Sequence, residues 1–116
     1  MKHSYSFEVR DGSLLIYLPE KLSPIESLLG DIESCGGDAG PWLNLIAKVL
    51  SNKSNFEECT GNSTSLEISD DFTKVINNYA LDDMIDECII ETDELKEIIV
   101  DWVREFNLLK RDTDCK

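Results

Sequence analysis

The strand-like runs in this chain are short, and turn signals stand close between them. The longest apolar run, Leu14 to Leu18, has five residues. Short strands joined by tight turns pair as antiparallel neighbours, because a parallel crossover needs a dozen or so connecting residues. The same shortness leaves no candidate for a membrane-spanning helix, which takes about 20 apolar residues. One domain is expected over residues 1–111, with a loose tail at 112–116, since the 116-residue length matches a single ordinary domain.

The opening segment reads as a hairpin. Tyr5, Phe7 and Val9 alternate with Ser6, Glu8 and Arg10, the period of a half-buried strand. Asp11-Gly12 is a strong turn signal because both residues tolerate positive φ. Ser13 to Leu18 returns as a strand apolar on both faces, which places it centrally in a sheet, and Pro19 ends it. Ser23-Pro24-Ile25-Glu26 then predicts a helix start with a capping box. Ile25, Leu28, Leu29 and Ile32 form its apolar stripe, Gly30 sits in its middle, and Cys35-Gly36-Gly37 stops it. A flexible glycine-rich connection leads to a second helix from Pro41 to about Leu50, with Trp42 and Ile46 on its apolar face.

A meander follows. Phe56 to Thr60, Thr64 to Ile68 and Phe72 to Ile76 are separated by Gly61-Asn62 and Asp70-Asp71. A polar loop, Asn77 to Asp83, precedes a strand from Met84 to Glu91. In that strand Met84, Cys88 and Ile90 compete with Ile85 and Ile89 for the buried face. The last helix is capped by Thr92, with Asp93 and Glu94 in its first turn, where the dipole favours them. Leu95, Ile98, Ile99, Trp102, Phe106 and Leu109 are its buried stripe. The reading is an α+β fold of ββααββββα order: an antiparallel sheet of about six strands with helices packed on one face.

Charge narrows the function classes. Aspartate and glutamate total 24 against 11 lysines and arginines, for a net charge of −13. Such a surface repels phosphates and anionic lipid, which argues against nucleic-acid and membrane partners and favours a basic protein or a cation. A hydrophobic fraction of 41% is too high for a disordered acidic tail. The residues after Met1 lack the apolar core of a signal peptide, so a cytoplasmic protein is expected.

Catalytic and metal-binding patterns are sparse. Cys35, Cys59, Cys88 and Cys115 lie 24, 29 and 27 residues apart, without a Cys-x-x-Cys pair. His3 is the only histidine, and a chain terminus is a poor place to hold a catalytic base. Asp82-Asp83-Met84-Ile85-Asp86-Glu87 carries calcium-ligand residue types without EF-hand spacing. Neither an enzyme, a metal site nor a cofactor is expected.

The acids are concentrated. Between Asp82 and Glu105 there are ten, opposed by Lys96 and Arg104, which puts −8 of the −13 in one segment. Glu94, Glu97, Asp101 and Glu105 are spaced by three, four and four, hence on one helical face. Like charges at that spacing cost a few tenths of a kcal/mol per pair, so a function that wants negative charge is one reading, and a solvated face is the other. The candidate partner-binding residues are Asp82, Asp83, Asp86, Glu87, Glu94, Glu97 and Asp101. Tyr79 is a candidate exposed anchor, while Trp42 and Trp102 belong to the core.

The hairpin Tyr5 to Pro19, the central Thr60 to Ile68 and the closing acidic helix with Trp102 cover about half the chain. Together they resemble the small acidic immunity proteins that bacteria encode beside polymorphic or contact-dependent toxins. The resemblance implies a non-enzymatic antitoxin that covers the active-site or nucleic-acid surface of a cognate basic toxin, often a nuclease. It carries no residue over by position and leaves the oligomeric state open. The alternatives are an acidic structural or adaptor domain with no toxin partner, or a small ligand- or calcium-binding module.

Overall fold

The computed structural model describes residues 3–114, and the side chains of residues 3–110. Two strands lead, β1 (Ser6–Arg10) and β2 (Ser13–Tyr17), followed by α1 (Pro24–Ser34) and α2 (Gly40–Leu50). Four strands come next: β3 (Phe56–Thr60), β4 (Thr64–Ser69), β5 (Phe72–Asn77) and β6 (Glu87–Glu91). The helix α3 (Thr92–Asp114) closes the chain. The fold is α+β in the expected order, and all strand pairs are antiparallel.

The six strands divide between two sheets. A two-stranded ribbon, β1–β2, stands apart from a four-stranded sheet in the order β3-β4-β5-β6. The ribbon turns at Asp11 (φ 54°) and Gly12 (φ 81°), the paired positive φ values that a two-residue hairpin turn requires. β2 is therefore not a central strand. Its apolar residues pack on α3 rather than between two neighbouring strands, and Leu14 joins the common core.

The capping box expected at Ser23 does not form. A 3₁₀ turn, Glu20–Leu22, runs into α1, so Ser23 is already helical (φ −55°, ψ −30°) and its side chain makes no cap bond. An N-cap needs an extended residue there. Leu22, 1% exposed, anchors that turn in the core. α1 ends as predicted at its glycines. The Gly37 N–H donates to the Ile32 carbonyl and the Gly36 N–H to that of Glu33, the bond pair of a left-handed helix stop. The connection beyond is packed rather than loose. Gly37 is buried, and a Cβ there would come within 2.6 Å of the Phe106 ring.

One face of the four-stranded sheet receives all three helices. α1 touches β4, β5 and β6, α2 touches β3 and β4, and α3 touches β5 and β6. The alternation of β4 shows the division: Thr64, Leu66 and Ile68 are buried, and Ser65, Glu67 and Ser69 point away. On the helices, Ile25, Leu28, Ile32, Ile46, Ile98 and Ile99 fill the interior. Trp102 is buried and stacks on Phe106 at 4.9 Å, while Trp42 is also in the core. β6 runs without a break into α3, where the Thr92 hydroxyl donates to the Ser69 carbonyl (2.5 Å) and lies 2.8 Å from that of Thr73. α3 extends to Asp114, three residues into the segment expected to be loose, and residues 115–116 lie outside the described residues.

Candidate partner-binding surface

The structure separates the acids that the sequence grouped. Asp82, Asp83 and Asp86 sit on an exposed loop at 78–86, and Glu87 opens β6, also exposed. The last strand starts at Glu87, so Met84 to Asp86 belong to this loop rather than to the strand. The register question resolves with Cys88 and Ile90 inside and Ile89 outside. Burial pushes the Cys88 thiol up to about 11, which keeps it protonated and unreactive at neutral pH.

Glu94 is not a surface residue. It is 2% exposed, and its carboxylate accepts from the His3 backbone N–H and lies 3.1 Å from His3 Nδ1. Glu97 and Asp101 are half-buried. Asp101 accepts a 2.5 Å hydrogen bond from the Tyr5 hydroxyl and pairs with Arg104 at 3.2 Å. Burial first, and that bond second, hold the Tyr5 hydroxyl well above its ordinary pKa. The acidic stripe of α3 is thus covered along much of its length by the segment leading into β1. Helical spacing places those acids on one face, but it cannot say which face another segment will cover.

A second acidic surface lies on the side of the four-stranded sheet away from the helices. The pairing register arranges it in rows. Glu58 stands beside Glu67, then Lys74, then Ile89. On one side the row is Phe56, Ser69, Phe72, Glu91, and on the other Thr60, Ser65, Ile76, Glu87. Glu58 directly opposite Glu67 is an unfavourable like-charge pair that a purely structural surface has no reason to keep. Lys74, 4.0 Å from Glu87, is the only cation on these strands' outer face.

Large apolar side chains interrupt the acids. Phe72 is 53% exposed and Ile89 61% exposed, and Phe56 joins them on the outer face. The adjoining loop adds Tyr79, 72% exposed, with Leu81 and Met84. Exposed apolar groups ringed by charge mark interaction surfaces. Tyr79 was legible in the sequence as an exposed anchor. The strand residues were not: Phe56, Phe72 and Ile89 are out of phase with their strands' buried positions, and the sequence alone assigns no buried face to any of these strands.

Catalytic and metal chemistry has little to build on among the described residues. No three His, Cys, Asp or Glu side chains converge on a metal position. A hollow of about 390 Å³ between Lys21, His3 and β6 is an open groove. No helix among the described residues is long and apolar enough to cross a membrane.

No family model matches the chain, and no solved structure matches it. A protein of Bacillus cereus (strain ATCC 14579) named "Immunity protein" is 42% identical over 104 residues. The match covers 88% of this chain and 86% of the relative, so it is not confined to one shared motif. The chain belongs to the immunity protein family.

Proposed function

We propose that this immunity protein neutralises a cognate basic toxin of a polymorphic or contact-dependent system, a nuclease, in the cytoplasm. It acts as a non-enzymatic inhibitor, covering the toxin's active-site or nucleic-acid surface. The observation that carries this reading is the outer sheet face with its loop. Glu58, Glu67 and Glu87 on the strands and Asp82, Asp83 and Asp86 on the loop surround Phe56, Phe72, Ile89 and Tyr79. A nuclease must hold phosphates and therefore bears a basic cleft. An acidic face steers encounter with such a cleft, and the apolar side chains supply contacts that exclude water. Of the acids first singled out, Asp82, Asp83, Asp86 and Glu87 remain on this surface. Glu94 is buried against His3, Asp101 holds the Tyr5 hydroxyl and Arg104, and Glu97 is half-buried on the same helix.

The test is affinity purification of the tagged protein from its own producing cells at low salt, with mass spectrometry of what is retained. The expected result is one stoichiometric basic protein, toxic when expressed alone and harmless beside this chain. Changing Asp82, Asp83 and Asp86 together to lysine then slows association about 10-fold or more at low salt, with the difference shrinking as salt rises. Recovery of no toxic partner from cells that make the protein refutes the reading. An association rate untouched by the triple change refutes the role given to the loop.

A further inference from the structure

The hydrogen-bond phase of the four-stranded sheet leaves one of its edges open. The Gly61 N–H donates to the Thr64 carbonyl, which fixes Glu57 and Cys59 as the β3 residues bonded to β4. The Asn78 N–H donates to the Ser63 carbonyl and the Asn77 N–H to that of Asp86, and both set the rest of the sheet in the matching phase. The backbone groups of Phe56, Glu58 and Thr60 therefore point outward along the β3 edge. At Phe56 the Ser54 hydroxyl answers them, donating to the Phe56 carbonyl at 3.0 Å and accepting from its N–H at 3.4 Å. At Glu58 and Thr60 no described residue does.

This edge is guarded by negative charge alone, Glu57 on its inner face and Glu58 on its outer face, which deters an acidic strand but not a cationic one. It has no proline, no lysine and no bulge in its five-residue register. The opposite edge, β6, is flanked by the Glu20–Leu22 turn. The β3 edge also borders the acidic face described above.

We propose that the β3 edge receives an extended, cationic strand of the toxin, which adds to the sheet through the backbone of Glu58 and Thr60. The inference rests on the toxin-binding reading and deepens it. An added strand sets a side chain directly beside Glu58 on the outer face, where the Glu58–Glu67 pair favours lysine or arginine and Phe56 favours an apolar neighbour. A second copy of this chain is disfavoured as the occupant. Full-length antiparallel pairing of two β3 strands sets Glu58 against Glu58.

The test compares Thr60→Pro with Thr60→Ala, using the toxin that co-purifies with the wild-type chain. Proline removes an N–H that the fold does not use and is tolerated at a sheet edge, whereas alanine keeps the N–H and loses only the side chain. Thr60→Pro is expected to weaken binding at least about 10-fold, the equivalent of one lost bond of about 1.4 kcal/mol, with Thr60→Ala near wild type. In the wild-type complex, amide exchange at Glu58 and Thr60 slows at least about 10-fold relative to the free protein, a readout independent of either variant. Equal binding by both variants with no slowing at those amides overturns the strand addition and leaves the toxin reading intact. Failure to recover any toxin overturns both. A wild-type dimer in sedimentation that Thr60→Pro dissociates would assign the edge to self-association instead.

Discussion

Asp31 offers the sharpest test of how α1 holds the sheet. It is 5% exposed, and its carboxylate accepts from the Ser63 N–H at 3.1 Å, the Ser63 hydroxyl at 2.8 Å and the Thr64 N–H at 3.0 Å. These bonds tie the β3–β4 turn to the helix, and Ser27 joins from the preceding turn, 2.8 Å from the Ser63 hydroxyl. Asp31→Ala orphans the Thr64 N–H, which sits on a residue 1% exposed and cannot recover water. An unsatisfied buried donor costs about 1–3 kcal/mol. Ser63 is half-buried and regains part of its hydration, so the two Ser63 donors together add about 1 kcal/mol more. The expected loss is about 2–4 kcal/mol, a large share of the ~5–15 kcal/mol that holds a domain of this kind. Asp31→Asn keeps one acceptor but turns an NH₂ towards donors, and should cost about 1–2 kcal/mol. Urea unfolding followed by tryptophan fluorescence reads both, with Trp42 beside Asp31 in the same hollow as a local reporter. At a slope of ~2 kcal/mol/M, the middle of the range for a small domain, the alanine midpoint falls by about 1–2 M. A shift worth less than ~0.5 kcal/mol at unchanged slope would mean that the turn does not depend on this carboxylate.

Three further outcomes are expected. Gly30→Ala should stabilise by up to about 1 kcal/mol in the same urea assay, because a Cβ there meets nothing within 4 Å and alanine is the better helix former. Gly61→Ala should destabilise by about 1–3 kcal/mol, since a Cβ there would lie 2.7 Å from Asp31 Oδ2, which the Ser63 and Thr64 N–H groups hold in place, and the loss should shrink when Asp31 is already alanine. Burial raises the Cys88 thiol from 9.0 to about 11, so the unfolded chain gives up that proton first as pH rises. The stability contributed by this group is whole below pH 9 and declines from there towards 11. Thermal melts across that range should show the wild type losing stability relative to Cys88→Ala, so that its advantage at neutral pH narrows, and native Cys88 should resist alkylation at pH 7 while exposed Cys35 reacts.

Local chemistry was legible wherever neighbouring residues decide the backbone. Asp11-Gly12 makes its turn because both residues accept positive φ, and Gly36-Gly37 stops α1 for the same reason. The apolar stripes of α1 and α3 were readable because 3.6-residue periodicity is a property of the segment alone. The alternation of Leu66 and Ile68 with Glu67 matches the inward face that β4 takes. Ser23 shows where that logic stops. Its serine, proline and glutamate have the right spacing for a cap, but the buried Leu22 extends a 3₁₀ turn into the helix and removes the extended residue that a cap requires.

The candidate site was legible in its loop and illegible in its faces. Asp82, Asp83 and Tyr79 lie where a polar loop was expected, and a loop exposes its side chains whatever the rest of the chain does; Asp86, expected in the last strand, lies in the same loop. Glu94 has the helical position of a surface acid, but a segment some 90 residues earlier in the chain closes over it through His3. The division of six strands into a ribbon and a sheet likewise has no local signal, since β2 is equally able to pair with a strand or pack on a helix. The sequence by itself determined the order of elements, their turns, the core stripes and the excess of acid, because each follows from propensity, periodicity or composition. Tertiary structure alone decided which acidic face is covered, which sheet face carries Phe56, Phe72 and Ile89, and which edge is left open. Those depend on which surfaces meet, and burial is a property of the whole packed chain.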